Sequence, residues 1–100
     1  MSALTEFARG RDCTVRLPDG CTGGGDDSVA AHYRLAGTCG TGIKPPDTNA
    51  AIACLHCHDV CDGRKKSRLE KAFIRHAHAE GVMRTLELLA RAGYRLRKAA

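Results

Sequence analysis

The sequence predicts a small α+β domain held together by a metal staple rather than by a large core. Three observations predict it. The chain has 100 residues with two Phe, two Tyr and no Trp, so large core-formers are few, and its 11 glycines raise the entropy cost of folding. Cys54 and Cys57 stand in a C-x-x-C pair with Cys13 and Cys21 upstream of them. Strand-prone segments come first along the chain and helix-periodic segments come last.

The elements follow in order. Residues 3 to 9 suit a short helix that Gly10 breaks. Residues 13 to 17, CTVRL, have strand propensity and end at the turn sequence Pro18-Asp19-Gly20, with Cys21 directly after. TGGGDD, residues 22 to 27, is loop, and residues 28 to 35 suit a short strand carrying His32. Residues 37 to 47 are irregular and contain Pro45-Pro46, after which residues 50 to 61 are helix-compatible. Ser67-Arg-Leu-Glu70 reads as a capping box, followed by an apolar stripe of Leu69, Ala72, Phe73 and Ala77, with Ile74 less central. Gly81 is placed to stop that helix, and a second, from about 82 to 92, turns Val82, Met83, Leu86, Leu89 and Ala90 inward before Gly93. The expected organisation is one domain over 1–100. It comprises a cysteine knuckle and core over 1–63, a helical pair over 67–93 and a basic tail over 94–100.

Bulk properties narrow the function. No apolar window approaches a membrane span, and the N-terminus lacks a basic segment followed by an apolar run, so neither a membrane protein nor an exported one is expected. In a reducing cytoplasm, closely spaced cysteines read as metal ligands. The net charge of +5 suits a polyanionic partner, meaning nucleic acid, although a generically basic surface gives the same sum.

The stretch IACLHCHD, residues 52 to 59, contains C-x-x-C-H, which is the attachment pattern of a c-type haem as well as half of a zinc site. A haem carrier needs export, an apolar crevice and a second axial ligand. With no expected leader and few aromatics, zinc is the better reading. Cys13 and Cys21 flank a turn and could converge on Cys54 and Cys57 as a tetrahedral four-thiolate zinc site. Cys39 and Cys61 are left over and read as small, partly buried thiols, while His76 and His78, two residues apart on a helix, read as surface residues.

Upstream of the cysteine pair the order is His32, then Asn49, then His58. A histidine, an asparagine and a histidine entering a helix resemble the HNH, or His-Me finger, nucleases. The segments RGRDCTVRLPDGC, SVAAHYRLAG, CGTGIKPPD and IACLHCHD are similar to the YbcO-like family of prophage nucleases, whose assignment as nucleases is inferred largely from fold. The similarity covers about residues 8 to 63 and is looser beyond. It implies a ββα-metal (HNH-like) fold with additional C-terminal helices, a structural zinc on Cys13, Cys21, Cys54 and Cys57, and hydrolysis of DNA in the cytoplasm of a bacterial host. It further implies His32 as general base, Asn49 as the residue that orients the base loop or helps hold the metal, and His58 as ligand of a catalytic divalent ion such as Mg²⁺, Mn²⁺ or Ni²⁺. The plainer reading of these residues is a satisfied strand histidine and a helix-face histidine, on a zinc module that binds nucleic acid or a protein without cutting.

One position departs from the pattern. Many HNH enzymes carry Asp or His directly before the base, where this chain has Ala31, so His58 needs help from Asn49, His56, Asp47 or Asp62. Arg64-Lys65-Lys66 with Arg68, the group Arg9, Arg11, Arg16 and Arg34, and the group Arg91, Arg95, Arg97 and Lys98 would supply phosphate contacts if the fold gathers them. The apolar stripe of the helical pair exceeds what so small a core can cover, which makes a homodimer a further expectation.

Overall fold

The computed structural model describes residues 3–43 and 45–94, so the basic tail with Arg95, Arg97 and Lys98 lies outside the described residues. The order is α1 (Ala3–Ala8), β1 (Val29–His32), a 3₁₀ turn (Asp47–Asn49), β2 (Ala50–Ala53), α2 (Leu55–Cys61) and α3 (Lys71–Arg91). β1 and β2 form a two-stranded antiparallel sheet with Val29 opposite Ala53 and His32 opposite Ala50. A small α+β fold is therefore present. No helix among the described residues is long and apolar enough to cross a membrane.

Residues 50 to 61 are not one helix. The alanine-rich segment 50–53 is β2 instead, and all four of its residues are buried. Small side chains let it lie between β1 and α3, and tertiary burial overrides the helical preference of alanine. Cys54 then caps α2, its Sγ accepting the amide of Cys57 at 3.4 Å. Residues 13 to 17 are likewise not a strand. Arg16 takes a left-handed backbone (φ 60°), which bends this segment around the cysteines, and Thr14 alone bonds to β2, through its amide and hydroxyl to the carbonyl of Ile52.

The expected helical pair is one continuous 21-residue helix. Gly81 lies in its middle and stops nothing. A Cβ there would stand 3.0 Å from Val15 Cγ2 and 3.1 Å from both Ala51 Cβ and Thr14 Oγ1. The glycine is thus the point where α3 rests on the knuckle and on β2. The inward face differs in part from the apolar stripe: Leu89 is buried as expected, but Phe73, Met83 and Leu86 are exposed, while His78, Gly81 and Thr85 are buried. The capping box is not formed either. Glu70 holds the cap position without a side-chain bond, and the Ser67 hydroxyl accepts from the Leu69 amide and donates to Asp19.

Among the described residues, two clusters make the core. One surrounds the cysteines and includes Val15, Leu17, Ala31, Ala51 and Val60. In the other, Leu4 of α1 packs on Ala50 and Leu89, with Phe7 and Tyr94 in tilted ring contact at 5.2 Å. Substituting Gly81→Val tests the close approach. It improves helix propensity yet is expected to destabilise the zinc-loaded protein by about 1–3 kcal/mol, read from urea denaturation, because α3 must lift off the sheet.

Candidate functional site

The candidate metal centre is built from two loops of chain and one helix end. The sulfurs of Cys13, Cys21, Cys54 and Cys57 all lie within 4.8 Å of one another, and Cys21 and Cys54 are 3.8 Å apart. Four ligands tetrahedral about zinc, each at about 2.3 Å, have edges of about 3.8 Å. Each sulfur also accepts one backbone amide: Cys13 from Arg16, Cys21 from Gly23, Cys54 from Cys57 and Cys57 from Leu17, at 3.4–3.5 Å. Amides aimed at sulfur stabilise thiolate, so donors, spacing and surroundings fit a zinc ion. The protonation balance agrees. Hydrogen bonding from Cys57, aided by the Arg16 amide, holds Cys13 down to about 4, while the same pairing and burial push Cys57 well above the usual thiol range. A divalent cation would let all four thiols ionise together. With Cys54 and Cys57 buried in this cluster, C-x-x-C is not available to a haem.

Helix α2 presents its histidines to different surroundings. His56 Nε2 meets Asp19 Oδ1 at 2.9 Å and its Nδ1 meets Lys65 Nζ at 3.0 Å. Hydrogen bonds from Ser67 and then His56 hold the Asp19 carboxyl below its usual range. This network ties the Pro18-Asp19-Gly20 turn to α2, and Gly20 is required there because a Cβ would stand 2.8 Å from the His56 ring. His56 is thus engaged away from any second site. His58, one residue after Cys57, lines a cavity of about 520 Å³.

That cavity also receives His32, Asp47, Asp62, Arg34 and Arg64. His32 ends β1, and its Nε2 lies 2.8 Å from Asp47 Oδ1, carried by the turn after Pro45-Pro46. With the carboxylate ionised the bond is Nε2–H to oxygen, which leaves the Nδ1 lone pair as the basic site. Arg64 Nε pairs with Asp62 at 2.8 Å, and Arg34 donates to the Gly40 carbonyl at 3.3 Å.

Asn49 is not in this cavity. Its amide donates to Thr38 Oγ1 at 3.1 Å and its carbonyl accepts the Tyr33 amide at 2.6 Å, so it braces the loop that carries Asp47. Among the described residues the four cysteines are the one cluster of three or more such donors close enough to hold an ion; the cavity residues form no second one. Cys61 lines the cavity too, but burial pushes its thiol up to about 12. The other basic residues disperse: Arg11 stacks on Phe7 at 3.8 Å, Arg91 pairs with Glu87, and Arg16 lies beside Arg84 in a separate groove.

His78 corrects the expectation of a surface residue. It is 6% exposed, lines the cavity and donates from Nε2 to the Ala31 carbonyl at 2.8 Å. Its signal in sequence was weak, a histidine on an exposed-looking helix, and only the true inward face of α3 places it.

Comparison with known proteins identifies the family. The family model described as "Putative nuclease YbcO" matches residues 2–94. The chain belongs to the YbcO family. Two relatives of that description, from Escherichia coli K12 and from Enterobacteria phage 82, are each 47% identical over 85 residues, covering 85% of this chain and 88% of theirs. A solved structure, "Structure of a putative bacteriophage protein from Escherichia coli str. K-12 substr. MG1655", superposes with a TM-score of 0.73 at 38% identity, covering 87% of this chain and 95% of that one. Membership in the YbcO family thus spans both the cysteine cluster and α3.

Two outcomes are expected. Metal analysis finds one zinc per chain, and Cys54→Ser or a strong chelator abolishes cooperative thermal unfolding, because the apparent metal free energy in such sites, about 10–16 kcal/mol, is folding free energy. Burial lowers the pKa of His78 from the ordinary 6.5, so the unfolded chain binds more protons than the folded one below that value. The contribution to stability is full above pH 6.5 and is lost as pH falls through the depressed folded value. His78→Gln should therefore lose less urea stability than wild type between about pH 7 and about pH 5.5.

Proposed function

We propose that this YbcO-family chain is a metal-dependent endonuclease that hydrolyses DNA phosphodiesters at an HNH-like ββα site formed by β1, β2 and α2. The observation that carries the reading is the His32–Asp47 pair at 2.8 Å, facing the same cavity as His58 and two arginines. Asp47 fixes the ring and its tautomer, so Nδ1 of His32 takes a proton from water as the water oxygen forms its bond to phosphorus. The phosphorus–oxygen bond to the leaving group breaks, and solvent protonates the departing alkoxide. Arg34 and Arg64 contact the phosphate oxygens. Asn49 acts on the loop rather than on the substrate.

His58 is the residue that would hold the catalytic ion, with Asp62 lining the same cavity. A divalent ion there would neutralise charge on the phosphate and the leaving oxygen. The cavity residues form no close three-donor cluster among those described, so an ion held by His58 would need substrate oxygens or water as further ligands. The same observation, together with Ala31 before the base, favours a second reading: a zinc module that binds nucleic acid without cutting it. The phage relative is consistent with a phage or prophage origin.

Plasmid cleavage with Mg²⁺, Mn²⁺ and Ni²⁺ separates the two. His32→Ala should lower the rate by about 10²–10⁴-fold, and Asp47→Asn should also lower it by releasing the tautomer. If wild type and His32→Ala give the same products under all three ions, the nuclease reading fails and the binding module stands. Arg34→Ala and Arg64→Ala should each reduce the salt slope of DNA binding by about 1.

A further inference from the structure

His78 belongs to no motif and lies 46 positions from His32 in sequence, yet it contacts both of that residue's neighbours. Its Nε2–H donates to the carbonyl of Ala31 at 2.8 Å. Its ring meets Tyr33 edge-on, with centroids 5.1 Å apart and planes at 66°. Arg75, also on α3, lies over the Tyr33 ring at 4.7 Å. We propose that His78 is a positioning residue, which fixes the direction of His32 towards Asp47 by gripping the strand on either side of it.

The placement argues for this over simple packing. A hydrocarbon would fill the inward face of α3 without the cost of burying an imidazole. It would, however, leave the Ala31 carbonyl without this donor and Tyr33 without its ring partner. Both contacts fall on the two residues bracketing His32, whose ring meets Asp47 through a single bond. A reacting group must be held to about 0.5 Å and 10–20°, and one residue at the end of a four-residue strand cannot hold itself so closely. His78 transmits the rigidity of the long helix to it.

The inference rests on the reading of His32 as the base, and its test is arranged so that the two can fail separately. The zinc-loaded full chain is compared with His78→Phe, which keeps a ring against Tyr33 but has no donor, and with His78→Gln, which places an amide N–H near the position of Nε2. Side-chain ¹⁵N spectra of His32, recorded without nucleic acid, report whether the ring holds one Nε2–H tautomer; plasmid cleavage reports the rate. Wild type should show one tautomer. His78→Phe should show mixed tautomers and a rate lower by about 10–100-fold, and His78→Gln should recover most of both. A His78→Phe variant with the wild-type His32 spectrum overturns the proposal. So does a His78→Gln variant that loses zinc or shows mixed tautomers, since His78 would then serve the fold at large or act without its donor. If wild type does not cleave, the nuclease reading falls while the spectra still decide whether His78 positions His32.

Discussion

Every other feature of the molecule depends on four sulfurs brought within 4.8 Å of one another. Two come from an irregular N-terminal segment and two from the start of α2, so the contact closes the chain across more than thirty residues. α2 has only seven residues, too few to persist alone in water. Its first turn exists because Cys54 and Cys57 are anchored, and that anchor sets the rotation of the helix about its axis. The directions of His56 and His58 follow from it. The knuckle is shaped by the same demand: Arg16 accepts a left-handed backbone, and Gly24 is obligatory because a Cβ would stand 2.5 Å from the Cys13 amide nitrogen.

A second constraint joins the knuckle to the long helix. Thr14 Oγ1 donates to the Ile52 carbonyl at 2.7 Å, and Thr85 Oγ1 accepts the Ile52 amide at 2.9 Å while donating to the Gly81 carbonyl at 2.8 Å. The two hydroxyls are 3.2 Å apart. Each bond contributes about 0.5–1.5 kcal/mol net, but removing one partner strands others in the interior at about 1–3 kcal/mol each. Knuckle, β2 and α3 are therefore locked to one another, which is why a helix with polar residues on its inner face holds the sheet that carries His32.

The parts that were legible in sequence are those whose chemistry forces a spacing. Cys54 and Cys57 can serve one ion only at such an interval, and Cys13 and Cys21 joined them as expected. The short first helix and the strand before His32 followed from simple propensity. Residues 50 to 53 did not, because alanine prefers helix and only burial between β1 and α3 makes it strand. Gly81 misled for a related reason: the same absence of a Cβ that ends a helix also lets one approach a sheet. The stripe on α3 was only partly right: Ile74, Ala77, Val82 and Leu89 turn inward, but the inner face also carries His78, Gly81 and Thr85, which a search for hydrocarbon passes over. Of the candidate site, His32 and His58 line one cavity. Asn49 went elsewhere, and Asp47 was anticipated only as a helper of the metal, since the bond to His32 depends on a loop whose path no periodicity encodes.

The three faces of α2 have a consequence for how this chain can change over time. Cys57, His56 and His58 are consecutive, and each residue step turns the helix by about 100°. Substitution can alter one face and spare the others, but an insertion or deletion within this segment would rotate everything after it by that angle. Length variation is thus forbidden across residues 54 to 58 while remaining open in the loops on either side. Leu55, His56 and His58 can each be exchanged without turning the helix, but the number of residues in the segment cannot change without turning it.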